Sequence, residues 1–240
     1  MAGLGRYSRQ LGILGGLEGQ KRLESSTVTI VGLGGLGSPV STYLAAAGVG
    51  HLGLIDRDTI EPSDLNRQFL CKTEDVGKGK AWVAGERLRE LNGEIEVQAI
   101  SGAIEGSNCS DLVGESDVVV DCLDNWESRL ILNEACVELS IPLVHGAVEA
   151  MSGQITTVIP KETPCLNCIF SALRERGTGA VQVVGFLPGL VGSIQAGEAI
   201  KLITGVGELL RNRLLIADLA TCSFDIVGII RDRGCKVCGD

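Results

Sequence analysis

Apolar positions along the chain fall into two alternating rhythms. Short apolar runs occur at Val28 to Val31, His51 to Ile55, Asp117 to Asp121 and Pro142 to Gly146, and Glu94 to Ile100 alternates apolar with polar residues. Between these runs apolar residues return at helical spacing. They do so in Val40 to Ala47 behind Ser38-Pro39, in Ala81 to Leu91 (Trp82, Val83, Leu88, Leu91) and in Glu127 to Leu139 (Leu130, Leu132, Ala135, Val137). A strand presents one face every second residue and a helix every third or fourth, so the two periods separate strands from helices. Asn92-Gly93 is a helix stop. Strands alternating with helices this regularly predict an α/β fold with a parallel sheet covered on both faces.

From Gly153 the rhythm changes. Gln154 to Ile159 predicts a strand, Pro160 to Cys168 a turn-rich loop, and Arg174 to Gly179 a loop of small and charged residues. Ser193 to Leu202 predicts an amphipathic helix, and Leu214 to Asp218 and Phe224 to Ile230 two further strands. The longest apolar stretch, Ala180 to Ile203, is broken by Pro188, several glycines, Gln182, Gln195, Glu198 and Lys201, which predicts buried structure rather than a membrane span. At the other end, Arg6 to Gln10 (RYSRQ) reads as a solvated arm or helix, of chemical interest only where it reaches a phosphate. There are no repeats and no linker, so residues 1–240 are expected to form one unit, with a nucleotide-binding half over 1–150 and a second half over 151–240.

The stretch Thr27 to Gly37, TVTIVGLGGLG, organises the first half. A strand stops at Gly32, and Gly34, Gly35 and Gly37 lead into a helix. Glycines permit a sharp turn and close approach of phosphate oxygens to backbone amides, and the helix N-terminus adds partial positive charge. About 20 residues on, the second strand ends in Asp56, where such folds place a carboxylate for ribose hydroxyls. This predicts a nucleotide, although the glycine turn and Asp56 fit a dehydrogenase as well. Asp56, Asp124 and His145 are expected at carboxyl ends of strands, where ligands sit in parallel sheets.

Composition narrows the class. The 240 residues are 45% hydrophobic, enough for a large core. A net charge of -9 argues against a nucleic-acid or anionic-membrane surface. MAGLGRYSRQ lacks the apolar core of a signal peptide. Nine cysteines without such a signal predict reduced thiols in the cytoplasm, with metal binding or catalysis ahead of a disulfide framework.

Four of those cysteines form two distant CxxC pairs, Cys165/Cys168 and Cys235/Cys238. Two pairs complete a tetrahedral, four-cysteine zinc site, and four thiolates leave no open position, so the zinc would be structural. Ordinary buried cysteines or a redox dithiol are the competing readings. Cys71, Cys109, Cys122, Cys136 and Cys222 stand alone and read as small core residues. Arg67, Lys80 and Arg9 are candidate phosphate contacts, yet each alone is also an ordinary surface charge. Asp124 suits Mg²⁺, or the N-cap of the following helix, a post for which Asn125 is equally suited.

RYSRQ, GLGGLG, Asp56-Arg57-Asp58, DLNRQ, Lys80, DCLDN and the two CxxC pairs occur in an order that resembles the MoeB/ThiF adenylyltransferases. These are relatives of the adenylation domains of ubiquitin-activating enzymes, and the resemblance runs from about Arg6 to Gly239. It implies a Rossmann-like, mainly parallel sheet with an antiparallel C-terminal extension. It implies a homodimer that uses ATP and Mg²⁺ to adenylate the C-terminal glycine of a small ubiquitin-like sulfur-carrier protein with a Gly-Gly tail. Carried over by position, Gly35 would lie against the phosphates, within the turn that Gly32, Gly34 and Gly37 form, and Asp56 would hold the ribose. Ser63, Asp64, Leu65, Asn66 and Arg67 would line the nucleotide. Lys80 would join Arg67 at the transition state, Asp124, beside Asn125, would bind Mg²⁺, and Arg9 would reach the other subunit's ATP. Cys165, Cys168, Cys235 and Cys238 would hold zinc.

Three positions depart from the family pattern. Asp64 stands where Asn is frequent and is expected to add negative charge near the phosphates. Gly79 precedes Lys80 where Pro is common, which predicts a more flexible approach. No cysteine lies between Cys168 and Cys222, so no crossover thiol nucleophile is expected and the sulfur donor would be a separate protein. An NAD-dependent oxidoreductase explains neither the cysteine set nor Arg67, Lys80 and Asp124. A catalytically idle nucleotide-binding partner subunit would be expected to have lost some of Arg9, Arg67, Lys80 and Asp124, and all four are present.

Overall fold

The computed structural model describes residues 4–170, 172 and 182–239. Among the described residues eight strands form one sheet in the order β3-β2-β1-β4-β5-β6-β7-β8. The first five are parallel: β1 (Thr27–Val31), β2 (His51–Asp56), β3 (Glu96–Ser101), β4 (Val118–Asp121) and β5 (Leu143–Glu149). The chain steps outward from β1 to β3, then returns to lay β4 on the other side of β1. That reversal opens a crevice at the carboxyl ends of β1 and β4, the place where open α/β sheets bind ligands. Crossovers are supplied by α3 (Gly37–Ala47), α4 (Lys80–Leu91), α5 (Cys109–Val113) and α6 (Trp126–Leu139). After β5 no crossover is available. Glu149 pairs with Ser152 across a two-residue hairpin, and Ala150 takes the φ of 54° that such turns require. A tight hairpin can only reverse direction, so β6 (Ser152–Val158), β7 (Arg213–Asp218) and β8 (Ser223–Gly228) are antiparallel. The Rossmann-like mixed sheet expected from the motifs is the fold found.

Both faces of the inner strands are buried, which explains why their sequences are continuous apolar runs. Val28, Ile30 and Leu54 pack with Leu44 of α3, Leu88 of α4 and Val191 of α8 (Phe186–Thr204). Val31, Ile55 and Val119 pack on the opposite face with Leu130 and Leu132 of α6 and Phe170 of α7 (Leu166–Phe170). The remaining helices, α1 (Leu4–Tyr7) and α2 (Leu17–Glu24), precede the sheet. No described helix is long and apolar enough to cross a membrane.

Several expectations need correction. α8 starts at Phe186 rather than Ser193, because Pro188 sits in its first turn, where a missing N–H costs nothing. Only Val83 and Leu88 of the α4 stripe are buried, whereas Trp82 and Leu91 are exposed. The strand expected over Phe224 to Ile230 is found as β8, Ser223–Gly228, and it is exposed at all six residues. His145 is not at a strand end: β5 continues through Gly146 to Glu149 because those residues pair with β6. The RYSRQ arm is only partly solvated. Tyr7 is buried, its hydroxyl accepts from Asn92 Nδ2 at 2.9 Å, and its ring fills the space a side chain at Gly48 would need. Cys222 is exposed and Cys71 half-buried, while Cys109, Cys122 and Cys136 are core residues as expected. The loop expected over Arg174 to Gly179 lies outside the described residues.

Candidate active site

Two glycines fix the turn after β1. Gly32 has φ 95°, and a Cβ there would lie 2.5 Å from the carbonyl oxygen of Cys122 at the end of β4. A Cβ on Gly37 would lie 2.0 Å from the Gly32 carbonyl oxygen. The turn can therefore fold against β4 and enter α3 only without these side chains. Asp56 locks it from the other side. Its Oδ2 accepts from Leu33 N at 2.6 Å and its Oδ1 from Asp58 N at 2.8 Å. Burial pushes the Asp56 carboxyl up from its ordinary range, and the two amides partly offset that.

Gly32, Gly34, Gly35, Asp56, Arg67, Lys80, Asp124 and Asn125 wall one cavity at the strand ends. Residues far apart in sequence thus face a common space, and two cations are among them. Gly37, Ser63, Asp64, Leu65, Asn66 and His145 are not on this wall. Neither is Arg9, which is exposed in the arm behind Tyr7. Gln68, Ser128 and Arg129 line the cavity without being singled out by the sequence. Gln68 closes the DLNRQ motif, which is a signal that could have found it. Arg129 has no such signal.

Asp64 has a different place from the one expected. It is 5% exposed and sits behind the cations rather than at the cavity. Its Oδ1 accepts from Gln68 Nε2 at 2.8 Å and Arg67 Nη2 at 3.2 Å. Its Oδ2 accepts from Glu61 N at 3.0 Å and lies 3.3 Å from Lys80 Nζ. One carboxylate therefore holds both cations from beneath. Arg67 Nη1 also donates to Ser63 O at 2.7 Å, so the stretch before it acts as a brace. Nor is the Gly79-Lys80 step loose. Gly79 bridges to Thr59, and Lys80 N donates to Asp58 O at 2.9 Å as α4 begins.

Of the two residues that the sequence leaves competing for the helix cap, Asn125 takes it and Asp124 does not. Asn125 is the N-cap of α6, its Oδ1 accepting from Ser128 N at 2.9 Å. Asp124 has no capping duty, and its exposed carboxylate stands at the cavity with Asn125 Nδ2 at 3.3 Å.

The chain has known counterparts in sequence and in fold. Residues 7–237 match the ThiF family model. The chain belongs to the ThiF family. It is similar to the SAMP-activating enzyme E1 of Haloferax volcanii, at 44% identity over 99% of this chain and 89% of that one. It is 42% identical to the sulfur carrier protein adenylyltransferase of Thermus thermophilus, over 99% of this chain and 91% of that one. Among solved structures, the E. coli MccB complex with ATP superposes with a TM-score of 0.87 at 27% identity, covering 98% of this chain and 73% of that one. The enzyme class expected from the motifs, a nucleotidyltransferase, is the class of these relatives.

Two further clusters complete this ThiF-family chain. The sulfurs of Cys165, Cys168, Cys235 and Cys238 all lie within 4.8 Å of one another, with Cys165 to Cys235 at 3.8 Å and Cys168 to Cys238 at 3.4 Å. Tetrahedral ligands about 2.3 Å from an ion stand about 3.8 Å apart, so the four thiols fit a metal. The second cluster is buried beneath the Asp124 loop. His145 Nδ1 and Asp121 Oδ2 are 2.7 Å apart, and Arg129 Nη1 is 3.9 Å from the same oxygen. Burial pushes the His145 imidazole down from its ordinary value. Burial acts on Asp121 in the raising direction, but Arg129 and His145 outweigh it and hold that carboxyl low. Trp126 and Phe170 close around the imidazole at 5.7 and 5.6 Å between ring centroids.

Proposed function

We propose that this protein adenylates the C-terminal glycine carboxylate of a small ubiquitin-like sulfur-carrier protein with ATP and releases pyrophosphate. The observation that carries the reading is the convergence of Arg67 and Lys80 on the cavity that Gly34, Gly35 and Asp56 also wall. Hydride transfer builds no charge on a phosphate, so it gives two cations held there no part in the chemical step. The named activities of the relatives in Haloferax and Thermus agree with it.

In this reading Gly35 lies against the phosphates and Asp56 accepts from the ribose hydroxyls. The carrier's terminal carboxylate oxygen attacks the α-phosphorus, a new P–O bond forms, and the bond to the bridging oxygen of the β-phosphate breaks. The electron pair leaves with pyrophosphate. A carboxylate is already ionised at neutral pH, so no general base is needed. The protein's work is to position two anions and neutralise the charge that gathers between them. Arg67 meets phosphate oxygens with a planar fork, and Lys80 acts as a point charge. Asp124 would hold Mg²⁺, which shields the triphosphate. Zn²⁺ on the four cysteines would be structural, the whole of residues 1–240 would act as one unit, and a separate protein would donate sulfur. A homodimer would place Arg9 in the partner's site, which its exposure and its absence from its own cavity wall leave room for.

Carrier-dependent exchange of labelled pyrophosphate into ATP tests the reading. Exchange with a Gly-Gly-tailed carrier, lost when its terminal glycine is removed, is the expected result. No exchange with any such carrier would reject it, and NADH-linked turnover would restore the oxidoreductase. Mixed dimers of Arg9→Ala and Lys80→Ala subunits should recover activity if Arg9 acts across the interface, and no recovery would exclude that role.

A further inference from the structure

Between the four cysteines and Asp124 runs an unbroken series of contacts. Cys165 and Cys168 flank the start of α7, a helix of five residues. Helices this short do not hold themselves together in water. Asn133, fully buried on α6, grips α7 from outside: its Oδ1 accepts from Leu166 N at 2.9 Å and its Nδ2 donates to Asn167 Oδ1 at 3.2 Å. At the far end of α7, the Phe170 ring lies 4.8 Å from that of Trp126. Trp126 is the first residue of α6, directly after Asp124 and Asn125. The Arg129 guanidinium stacks over Trp126 at 5.2 Å, donates through Nη2 to Leu123 O, and itself walls the cavity.

We propose that Asn133 and Phe170 are positioning residues that link the four-cysteine metal centre to the loop carrying Asp124. Metal on the thiolates fixes both ends of the first knuckle and hence α7. Phe170 then presses on Trp126, and Trp126 and Arg129 together hold Leu123 and Asp124 at the cavity. Without metal α7 keeps the Asn133 bonds and the packing of Leu166 and Phe170 but loses the tether at its two thiolates, and the packing beneath Asp124 loosens. Linkage makes this reciprocal: nucleotide that orders the Asp124 loop must tighten the hold on the metal by the same factor. The inference rests on the adenylation reading only in taking the cavity to bind ATP.

The test uses the full chain loaded with Zn²⁺. Equilibrium transfer of zinc to a zinc-selective chelator is measured with and without a saturating non-hydrolysable ATP analogue, whose binding is followed by calorimetry. The expected result is analogue protection of about fivefold or more, the lower end of ordinary coupling between sites. Phe170→Ala should retain one zinc per chain, bind the analogue more weakly and lose the protection, and Phe170→Leu should restore part of it. Analogue binding with unchanged zinc transfer would overturn the linkage and leave the adenylation reading standing. Absence of analogue binding would overturn both. The wild-type comparison requires no variant, so it decides the linkage even if Phe170→Ala misfolds, and Phe170→Leu, losing protection in proportion to ring packing, then decides the role of Phe170.

Discussion

Removing the Asp64 carboxylate is the sharpest test of how the cations are held. Asp64 and Lys80 have side chains only 6% and 10% exposed, with 3.3 Å between charges. Breaking a buried pair by deleting one partner costs about 3–5 kcal/mol where the survivor is left uncompensated, and Lys80 keeps only the half-exposed Asp58 Oδ2 at 3.6 Å. The Arg67 side chain is 27% exposed, so water replaces much of its bond to Asp64, which adds about 1 kcal/mol at most. Asp64→Ala should therefore lose about 3–5 kcal/mol, a large share of the roughly 5–15 kcal/mol that holds a folded domain. Asp64→Asn restores one acceptor oxygen, for Glu61 N or for Gln68, but not the charge that faces Lys80, and should recover only about 1 kcal/mol of that loss. Urea unfolding of the three proteins measures both losses directly. In pyrophosphate exchange, the alanine variant should also show a raised KM for ATP, since Lys80 and Arg67 lose their common anchor. A loss below about 1 kcal/mol for Asp64→Ala at unchanged m-value would refute the reasoning. The cations would then be held by Asp58, Ser63 and Asn66 alone.

Other perturbations have equally definite outcomes. Gly32→Ala should cost more than about 3 kcal/mol or abolish folding, since it combines a positive φ with a backbone clash, whereas Gly34→Ala, with its nearest neighbour at 3.6 Å, should cost less than about 1. Equal thermal midpoints for the two would contradict the geometry. Asp124→Asn should abolish Mg²⁺-dependent exchange while stability changes by less than about 0.5 kcal/mol, because Asn125 carries the cap; normal exchange would remove the metal role. His145 is buried with a depressed pKa, so the unfolded chain binds its proton near pH 6.5 and the folded chain only at lower pH. Stability should thus fall as pH drops below about 6.5, by up to ~1.4 kcal/mol per unit, with Asp121 adding in the same direction at lower pH. In denaturation curves from pH 7 to 5, His145→Gln should flatten this slope, and an unchanged slope would assign it elsewhere.

The β–α alternation through β5 is legible because strands buried on both faces must be apolar throughout, as Val118 to Val120 are, and β-branched residues favour the strand. The glycine turn is legible because Gly32 and Gly37 are demanded by backbone contacts within a short stretch of chain. Asp64 escapes correct placement for a physical reason: a sequence shows that a carboxylate is near the phosphate loop but not which side of the cations it occupies. Likewise Asp124 and Asn125 are both competent caps, and only the extended backbone of Asn125 (φ -131°, ψ 146°) decides between them. Gly146 reads as punctuation and so sets His145 at a strand end, whereas its bareness makes room for Gln195, whose amide would sit 2.3 Å from a Cβ there. The cluster of Asp121, Trp126, Arg129, His145 and Phe170 draws on β4, α6, β5 and α7, and no local pattern announces such a meeting.

The two cysteine knuckles have a topological consequence. The first lies between β6 and α8 and the second beyond β8, so an ion shared by both would close a loop of roughly 70 residues containing α8, β7 and β8. By the chain-entropy relation for cross-links, closing a loop that long removes about 4 kcal/mol of freedom from the unfolded chain. β8 is the strand with the least to hold it, an edge exposed on both faces. Its attachment would then depend less on packing than on how few places the tethered chain has left to go.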